Sequence, residues 1–88
     1  MTAVLVDPVR THAAAMPTRL AVGCAETGRR WSWAEFDAAI DRAAAWLAQR
    51  LGPASGARVA TLARNHPAML VLQFACVRAG AIFVPYNW

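Results

Sequence analysis

Apolar residues recur at helical spacing between residues 33 and 51, and this is the clearest periodic signal in the chain. The spacing predicts one helix with a single apolar stripe. The stripe consists of Phe36, Ile40, Ala43, Ala44, Leu47 and Leu51. Asp37 and Asp41 near its start and Arg50 near its end suit the helix dipole. Gly52 follows as a stop signal.

The segment before this helix, RRWSWAEFD at 29–37, has two interpretations. It is either a basic-aromatic patch for nucleic acid or the entry to the helix. Ser32 and Glu35 have the spacing of a capping box, in which each side chain accepts a hydrogen bond from the other residue's backbone N–H. Trp31 and Phe36 fall at the two positions of a hydrophobic staple. The helix entry explains four residues together, and we favour it.

The first part of the chain predicts a short helix followed by a hairpin. Asp7 precedes a proline and is expected to cap a helix over 7–16, which Pro17 ends. The apolar run at 19–25 predicts a strand, and a turn containing Gly28 leads from it into a second strand. We therefore expect a helix and a two-stranded antiparallel unit before the long helix.

The second half predicts a strand, a helix and another strand. Residues 57–63 form an apolar run without polar alternation, typical of a strand covered on both faces. Asn65 or His66 is expected to cap a helix over about 67–79, which is apolar nearly all round and so predicted to be buried on most sides. Residues 81–87 predict a second strand. This order indicates a βαβ unit with a parallel strand pair.

The fold class predicted is α/β, in which the hairpin and helices lead into a βαβ unit of a larger, mostly parallel sheet. Parallel strands need helices on both faces and neighbouring strands at both edges. A chain of 88 residues forms at most one domain and does not supply all of these. We therefore expect residues 1–88 to be the amino-terminal part of a larger domain.

Composition supports the same expectation. Hydrophobic residues make up 58% of the chain, against roughly 45–50% in typical soluble domains. Small domains have proportionally more surface and should be more polar. The excess indicates apolar surface that a partner, a membrane or the rest of a longer chain covers.

The net charge of +4 changes this interpretation little. All nine basic residues are arginines, and only Arg29 and Arg30 are adjacent. Nucleic-acid binding needs basic residues clustered on one face, so scattered arginines indicate a solvated surface and no nucleic-acid partner. Trp33 remains without a role beyond packing or stacking.

Compartment follows from the cysteines and the amino terminus. Cys24 and Cys76 lie far apart in apolar surroundings, which favours free buried thiols in a reducing compartment. The first ten residues lack the features of a signal peptide. The most apolar run, AMLVLQFACV, is interrupted well before the roughly 20 residues of a membrane helix. We expect a cytoplasmic protein without a transmembrane segment.

The residues alone reveal no catalytic constellation. Gly52 and Gly56 flank a loop without the Lys-Ser/Thr of a phosphate-binding motif. His12, expected to be exposed, and His66, expected at the start of a helix, are far apart and have no cysteines at metal-ligand spacing.

Two further candidates are equally weak. Ser32 is used by the capping box, and neither it nor Ser55 is positioned against His66 for a triad. Asp37 and Asp41 share a helix face, where paired carboxylates usually face solvent. The sequence therefore assigns no catalytic, cofactor-binding or metal-binding residue.

Four segments together resemble the amino terminus of the adenylate-forming (AMP-binding) enzymes. WSWAEF at 31–36 resembles their aromatic-Ser/Thr-aromatic-x-Glu core motif, and VRAGAIFVP at 77–85 resembles their Leu-Lys-Ala-Gly-Ala motif and following strand. ARNHPAML at 63–70 is similar to a Pro-Asn-Ser-Pro-Glu-Phe segment, with Arg and His at two of its positions. MPTRLAV at 16–22 resembles the stretch before the first strand. The resemblance runs from about residue 7 to the end.

Within that superfamily, VPYNW at the end of the chain is most similar to acyl-CoA synthetases (fatty-acid–CoA ligases). The resemblance implies that the intact protein converts a carboxylic acid and ATP to an acyl-adenylate and pyrophosphate. Transfer of the acyl group to CoA then follows, with Mg²⁺ stabilising phosphate charge. The resemblance places the chemistry in later motifs: the phosphate loop, a Tyr-Gly-x-Thr-Glu segment, a ribose-binding Asp and a Lys of the C-terminal domain. None of these is present here.

The resulting hypothesis is that the chain is the amino-terminal piece of an ATP-dependent acyl-CoA ligase of fatty acid metabolism. The piece is expected to be inactive by itself and to bind no cofactor. Its partner would be the remainder of the adenylation domain or a second copy. Two alternatives stay open. One is an adenylation domain that loads a carrier-protein thiol. The other is a non-catalytic interaction module that uses an open sheet edge.

Overall fold

The structure, a computed structural model, describes residues 7–52, 56–62 and 67–86. These residues form three helices and two small sheets. In chain order the elements are α1 (Pro8–Ala15), β1 (Leu20–Gly23), β2 (Arg30–Ser32), α2 (Trp33–Leu51), β3 (Arg58–Leu62), α3 (Pro67–Ala79) and β4 (Ile82–Tyr86). The predicted order of elements is confirmed throughout this part of the chain.

The amino-terminal helix and the hairpin form as the sequence predicts. The side chain of Asp7 caps α1 by accepting a hydrogen bond from the backbone N–H of Arg10 at 3.1 Å. Strands β1 and β2 pair antiparallel, with an irregularity in register between Leu20 and Val22. Gly28 has a φ of 72° in the connecting turn, a conformation that residues with a Cβ rarely adopt.

The capping box at the start of α2 is confirmed. The Ser32 hydroxyl accepts from the Glu35 N–H at 3.2 Å, and the Glu35 carboxylate accepts from the Ser32 N–H at 2.9 Å. The first two backbone N–H groups of α2 belong to Trp33 and Ala34. They donate to the carbonyls of Arg19 and Pro17 at 2.9 and 3.0 Å, respectively. The first four backbone N–H groups of any helix have no partner within the helix, and leaving them unpaired is destabilising. Here the preceding loop pairs two of them.

The core lies where α2 meets its neighbours. Its buried members are Val9, Phe36, Ile40, Leu47, Ala75 and Cys76. Three of these belong to the predicted stripe of α2, whose other members are partly buried against the core. Phe36 meets Phe74 of α3 edge-to-face at a centroid distance of 6.0 Å, a favoured geometry for aromatic pairs.

The βαβ unit is also confirmed. Strands β3 and β4 are parallel, in register from Arg58 opposite Ile82 to Leu62 opposite Tyr86. Helix α3 connects them and packs against α2 and β4. The turn into β4 is fixed by backbone bonds from Ala81 to Cys76 and from Ile82 to Ala57, both at 2.8 Å.

The prediction that α3 is buried on most sides is wrong for this structure. Only Ala75 and Cys76 of α3 are buried. The side chains of Leu70 and Val77, two turns apart, are 42% and 61% exposed, and Ile82 at the start of β4 is 49% exposed. The reason is geometric, since α2 and one face of the strand pair cover only part of a helix that is apolar all round.

Some expectations fall outside the described residues. The helix cap expected at Asn65 or His66 is one, and the loop residues 53–55 and the terminal residues 87–88 are others. Among the described helices, none combines the length and the hydropathy that crossing a membrane requires.

Candidate functional site

The most concentrated charge in the structure surrounds Arg78, in the last turn of α3. Its guanidinium donates from Nε to Asp7 Oδ2 at 2.7 Å, from Nη2 to Asp37 Oδ1 at 2.5 Å, and from Nη1 to Asp41 Oδ1 at 2.9 Å. Nη1 also donates to the backbone carbonyl of Asp37 at 3.2 Å. The side chain of Arg78 is only 12% exposed. One side chain therefore links the cap of α1, helix α2 and helix α3.

Arg10 of α1 completes this group. Its Nε donates to Asp37 Oδ1 at 3.1 Å and its Nη2 donates to Asp41 Oδ1 at 2.6 Å. We call Asp7, Arg10, Asp37, Asp41 and Arg78 the ionic clasp. Three carboxylates thus face two guanidinium groups, and every carboxylate has at least one charged partner.

The clasp corrects two expectations. Asp37 and Asp41 were expected to face solvent. Asp41 does, with 52% of its side chain exposed, but Asp37 is only 18% exposed, and both bind arginines. The arginines were expected to form a solvated surface, but Arg78 is largely buried. The reason is that α1 and the end of α3 both pack beside the first turns of α2, so residues distant in sequence share one site.

The electrostatics of the clasp follow from these contacts. Hydrogen bonding from Arg78 lowers the pKa of Asp7, and the Arg10 N–H and the charges of both arginines act in the same direction. The pKa of Arg78 is raised, because hydrogen bonds and charges from Asp7 and Asp37 outweigh its desolvation. Paired, charged groups of this kind hold helices together, and they are not a poised acid-base pair.

A third expectation to correct concerns His12. It was expected to be exposed, but it is half-buried, and its ring lies 4.7 Å from the ring of Trp33, centroid to centroid. Trp33 in turn meets Phe36 edge-on at 6.3 Å. The tryptophan that the helix entry left without a role therefore packs between α1 and the core.

A cleft of about 240 Å³ lies between the hairpin, α2 and the start of α3. Its walls are mostly apolar, with two arginines among them. The lining residues are Val22, Arg29, Trp31, Phe36, Ala39, Arg42, Pro67, Ala68 and Val71. The guanidinium carbon of Arg29 stands 4.8 Å from the centroid of the Trp31 ring, a cation–π distance. Arg29 and Trp31 of the RRWSW segment thus line a cleft, and Ser32 of the same segment caps a helix.

The two cysteines are free thiols in different surroundings. Cys76 is buried, and desolvation raises the pKa of its thiol. Cys24 is half-buried near the hairpin turn, and hydrogen bonds from Thr27 lower its pKa. The expectation of free thiols is met, whereas burial holds for Cys76 only.

The structure brings no reactive constellation together in the residues it describes. Ser32 and Glu35 bond each other in the capping box, and no group of three His, Cys, Asp or Glu residues in 7–52, 56–62 and 67–86 is arranged to hold a metal ion. His66 and Ser55 lie outside the described residues.

Sequence reasoning missed the clasp because its members are up to 71 positions apart and no local spacing announces them. One signal was available. Arg78 is a charged residue in the last turn of a helix that is otherwise apolar, and a buried charge needs partners. That signal does not say which carboxylates supply them.

Comparison with known proteins now defines the fold and the family. The structure superposes on a fatty acyl CoA synthetase of Mycobacterium tuberculosis with a TM-score of 0.80 and 33% sequence identity, over 90% of this chain and 16% of that one. The fold is thus that of the amino-terminal part of acyl-CoA synthetases. The family model described as AMP-binding enzyme matches residues 9–88. The chain belongs to this family of adenylate-forming enzymes.

Curated relatives agree. An indoleacetate–CoA ligase of Aromatoleum aromaticum is 39% identical over 77 residues, which is 88% of this chain and 14% of the relative. A feruloyl-CoA synthase of an Amycolatopsis species is 44% identical over 61 residues, 69% of this chain and 12% of the relative. The chain therefore spans only about an eighth of the length of the curated relatives that it matches.

Proposed function

We propose that residues 1–88 are the amino-terminal part of the large adenylation domain of an ATP-dependent acyl-CoA ligase. The observation that carries this proposal is the family match over 9–88 together with two relatives named as CoA ligases at 39% and 44% identity. The chain covers only 14% and 12% of the length of these two relatives, which supports the proposal of a longer intact protein.

The proposed reaction of the intact protein has two steps. The substrate carboxylate attacks the α-phosphate of ATP, which forms an acyl-adenylate and releases pyrophosphate. The thiol of CoA then attacks the acyl carbon, and AMP leaves as a thioester forms. ATP and CoA are substrates, and Mg²⁺ would neutralise phosphate charge. We assign no contact with any of them to the residues of this chain.

The role proposed for this part is to build the fold that carries the active site. Its exposed apolar residues on α3 and β4, Leu70, Val77 and Ile82, support packing of the remaining domain against this surface. Exposed apolar side chains of this size are what a packed neighbouring segment would cover. The catalytic motifs of the family would follow in that remainder, and the isolated 88 residues would be inactive.

The substrate proposed is a carboxylic acid with an apolar body, in a cytoplasmic enzyme. The relatives' names include an aryl acetate and a hydroxycinnamate, and the structural relative is named for fatty acyl groups. We propose fatty acids first, because the end of the sequence is similar to fatty-acid–CoA ligases. The aryl acids belong in the same panel.

The experiment starts with the protein as its own cell makes it. Its intact mass is measured, and ATP–pyrophosphate exchange is then followed with fatty, aryl-acetic and cinnamic acids. Thioester formation with CoA is compared with loading of a carrier protein. Exchange with one acid class and a CoA thioester would support the proposal. Loading of the carrier only would favour the alternative adenylation domain. Absence of exchange with every acid would contradict both.

A further inference from the structure

Helix α1 is held to the rest of the fold more by ion pairs than by apolar burial. Of its eight residues only Val9 is buried, and α1 packs mainly on α2. A single buried valine supplies only a small part of the hydrophobic stabilisation of a domain. The contact of His12 with Trp33 adds one further packing interaction. Apolar burial therefore holds α1 weakly.

Charge supplies the remaining attachment. Three of the five ion pairs of the clasp connect α1 or its cap to α2 and α3: Arg10 with Asp37, Arg10 with Asp41, and Asp7 with Arg78. The other two ion pairs join Arg78 of α3 to α2 and do not involve α1. The α2–α3 contact therefore keeps its own ion pairs when α1 is absent.

The chain beyond α1 has a fixed anchor. The carbonyls of Pro17 and Arg19 accept from the first backbone N–H groups of α2, and β1 begins at Leu20. Met16, the C-cap of α1, has non-helical φ and ψ of −144° and 61°. Met16 therefore separates helix α1 from the anchored segment that begins at Pro17.

We infer that residues 7–16 form a strap that opens and closes on α2 as a unit, held by the ionic clasp and hinged at Met16. An isolated helix shorter than about 12–15 residues is marginal in water, so α1 melts when it leaves α2. Opening exposes the Arg78 guanidinium, the Asp37 carboxylate and the Trp33 ring, while the capping box and the α2–α3 core stay formed.

Hydrogen exchange tests this inference in the protein as the cell makes it, because peptides covering 7–16 and 37–51 report on the strap and on α2 separately. In the wild type the amides of 11–16 should exchange through an opening that leaves the α2 amides protected. Raising the salt concentration to about 1 M should accelerate exchange in the strap only, since the exposed pairs of Arg10 are screened.

A substitution at Asp7 separates its ion pair with Arg78 from its role as the N-cap of α1. Asp7→Asn keeps a good N-cap side chain but places an uncharged group opposite the Arg78 Nε. Exchange in 11–16 should become about three- to tenfold faster, while exchange in α2 stays unchanged. Glu26→Gln, which neutralises an acid in the exposed hairpin turn, is the matched control and should change neither peptide.

Arg10→Gln gives a second variant, since it removes two clasp pairs without touching Arg78. It should accelerate the same peptide and no other. The inference is overturned if strap and α2 amides exchange together in the wild type, if the clasp variants accelerate both peptides equally, or if they leave the strap unchanged.

Discussion

Arg78 donates from Nε to Oδ2 of Asp7 at 2.7 Å, across 71 positions of sequence. This bond joins the last turn of α3, inside the segment similar to the Leu-Lys-Ala-Gly-Ala motif, to the cap of the first helix. The same guanidinium holds both aspartates of α2. A residue of that motif therefore organises the packing of three helices.

Loss of this guanidinium should destabilise the fold strongly. Arg78→Met leaves a partly buried site in which three carboxylates have lost a partner, and loss of a charged partner at such a site costs about 1–3 kcal/mol. Urea unfolding of the wild type and the variant measures the free-energy difference.

Arg78→Lys is the matched variant. It keeps the positive charge but loses the planar fork that reaches three carboxylates, so its loss of stability should fall between those of wild type and Arg78→Met. A methionine variant within about 0.5 kcal/mol of wild type would contradict the role of Arg78 as the hub of the clasp.

The capping box should make a separate contribution. Ser32→Ala removes the acceptor for the Glu35 N–H and should lower the free energy of unfolding by about 1 kcal/mol. Ser32→Asp and Glu35→Gln keep acceptors at the same positions and should stay close to wild type. Equal losses in all three variants would show that the hydrogen bonds of the box are not what stabilises the helix start.

Stability should decrease in acid. The pKa of Asp7 is lowered by Arg78, and the pKa of Glu35 is lowered by the Ser32 N–H and hydroxyl. A carboxyl whose folded pKa lies below its unfolded pKa contributes stability above the unfolded value, and this contribution disappears as pH falls through the folded value. The free energy of unfolding should therefore fall progressively below about pH 5.

Asp7→Asn supplies the control for this pH dependence. It removes one of the two shifted carboxyls, so the decrease in acid should be shallower than in the wild type. Urea unfolding at a series of pH values measures it. An identical acid dependence in both proteins would mean that Asp7 is not ion-paired in solution.

The thiols should differ in reactivity. Cys24 is partly accessible with a lowered pKa, whereas Cys76 is buried with a raised one. Because the thiolate is the reactive species, iodoacetamide should modify Cys24 first and Cys76 only after urea unfolds the protein. Peptide mass spectrometry measures both sites. Modification of Cys76 at the rate of Cys24 in native buffer would contradict the packing of α3 against α2.

What the sequence predicted correctly rests on local signals. The capping box needs only Ser32 and Glu35, and the stripe of α2 needs only the helical period, so both were readable without tertiary information. The parallel pairing of β3 and β4 followed from the strand–helix–strand order, which leaves few other arrangements.

What the sequence did not predict depends on long-range contacts. Asp37 and Asp41 appear as ordinary surface acids of an amphipathic helix, and only the folded chain shows that Arg10 and Arg78 reach them. His12 appears exposed because its partner, Trp33, lies 21 positions later in sequence. The exposure of Val77 could not be predicted either, since an apolar helix does not reveal which neighbours cover it.

The central claim is that these residues belong to a CoA ligase whose reactive groups lie outside them. ATP–pyrophosphate exchange, run side by side on the isolated 88-residue chain and on the protein as its cell makes it, tests this most directly. We predict exchange with at least one carboxylic acid for the protein from its cell, and none for the isolated chain. Exchange catalysed by the isolated 88 residues would contradict the claim.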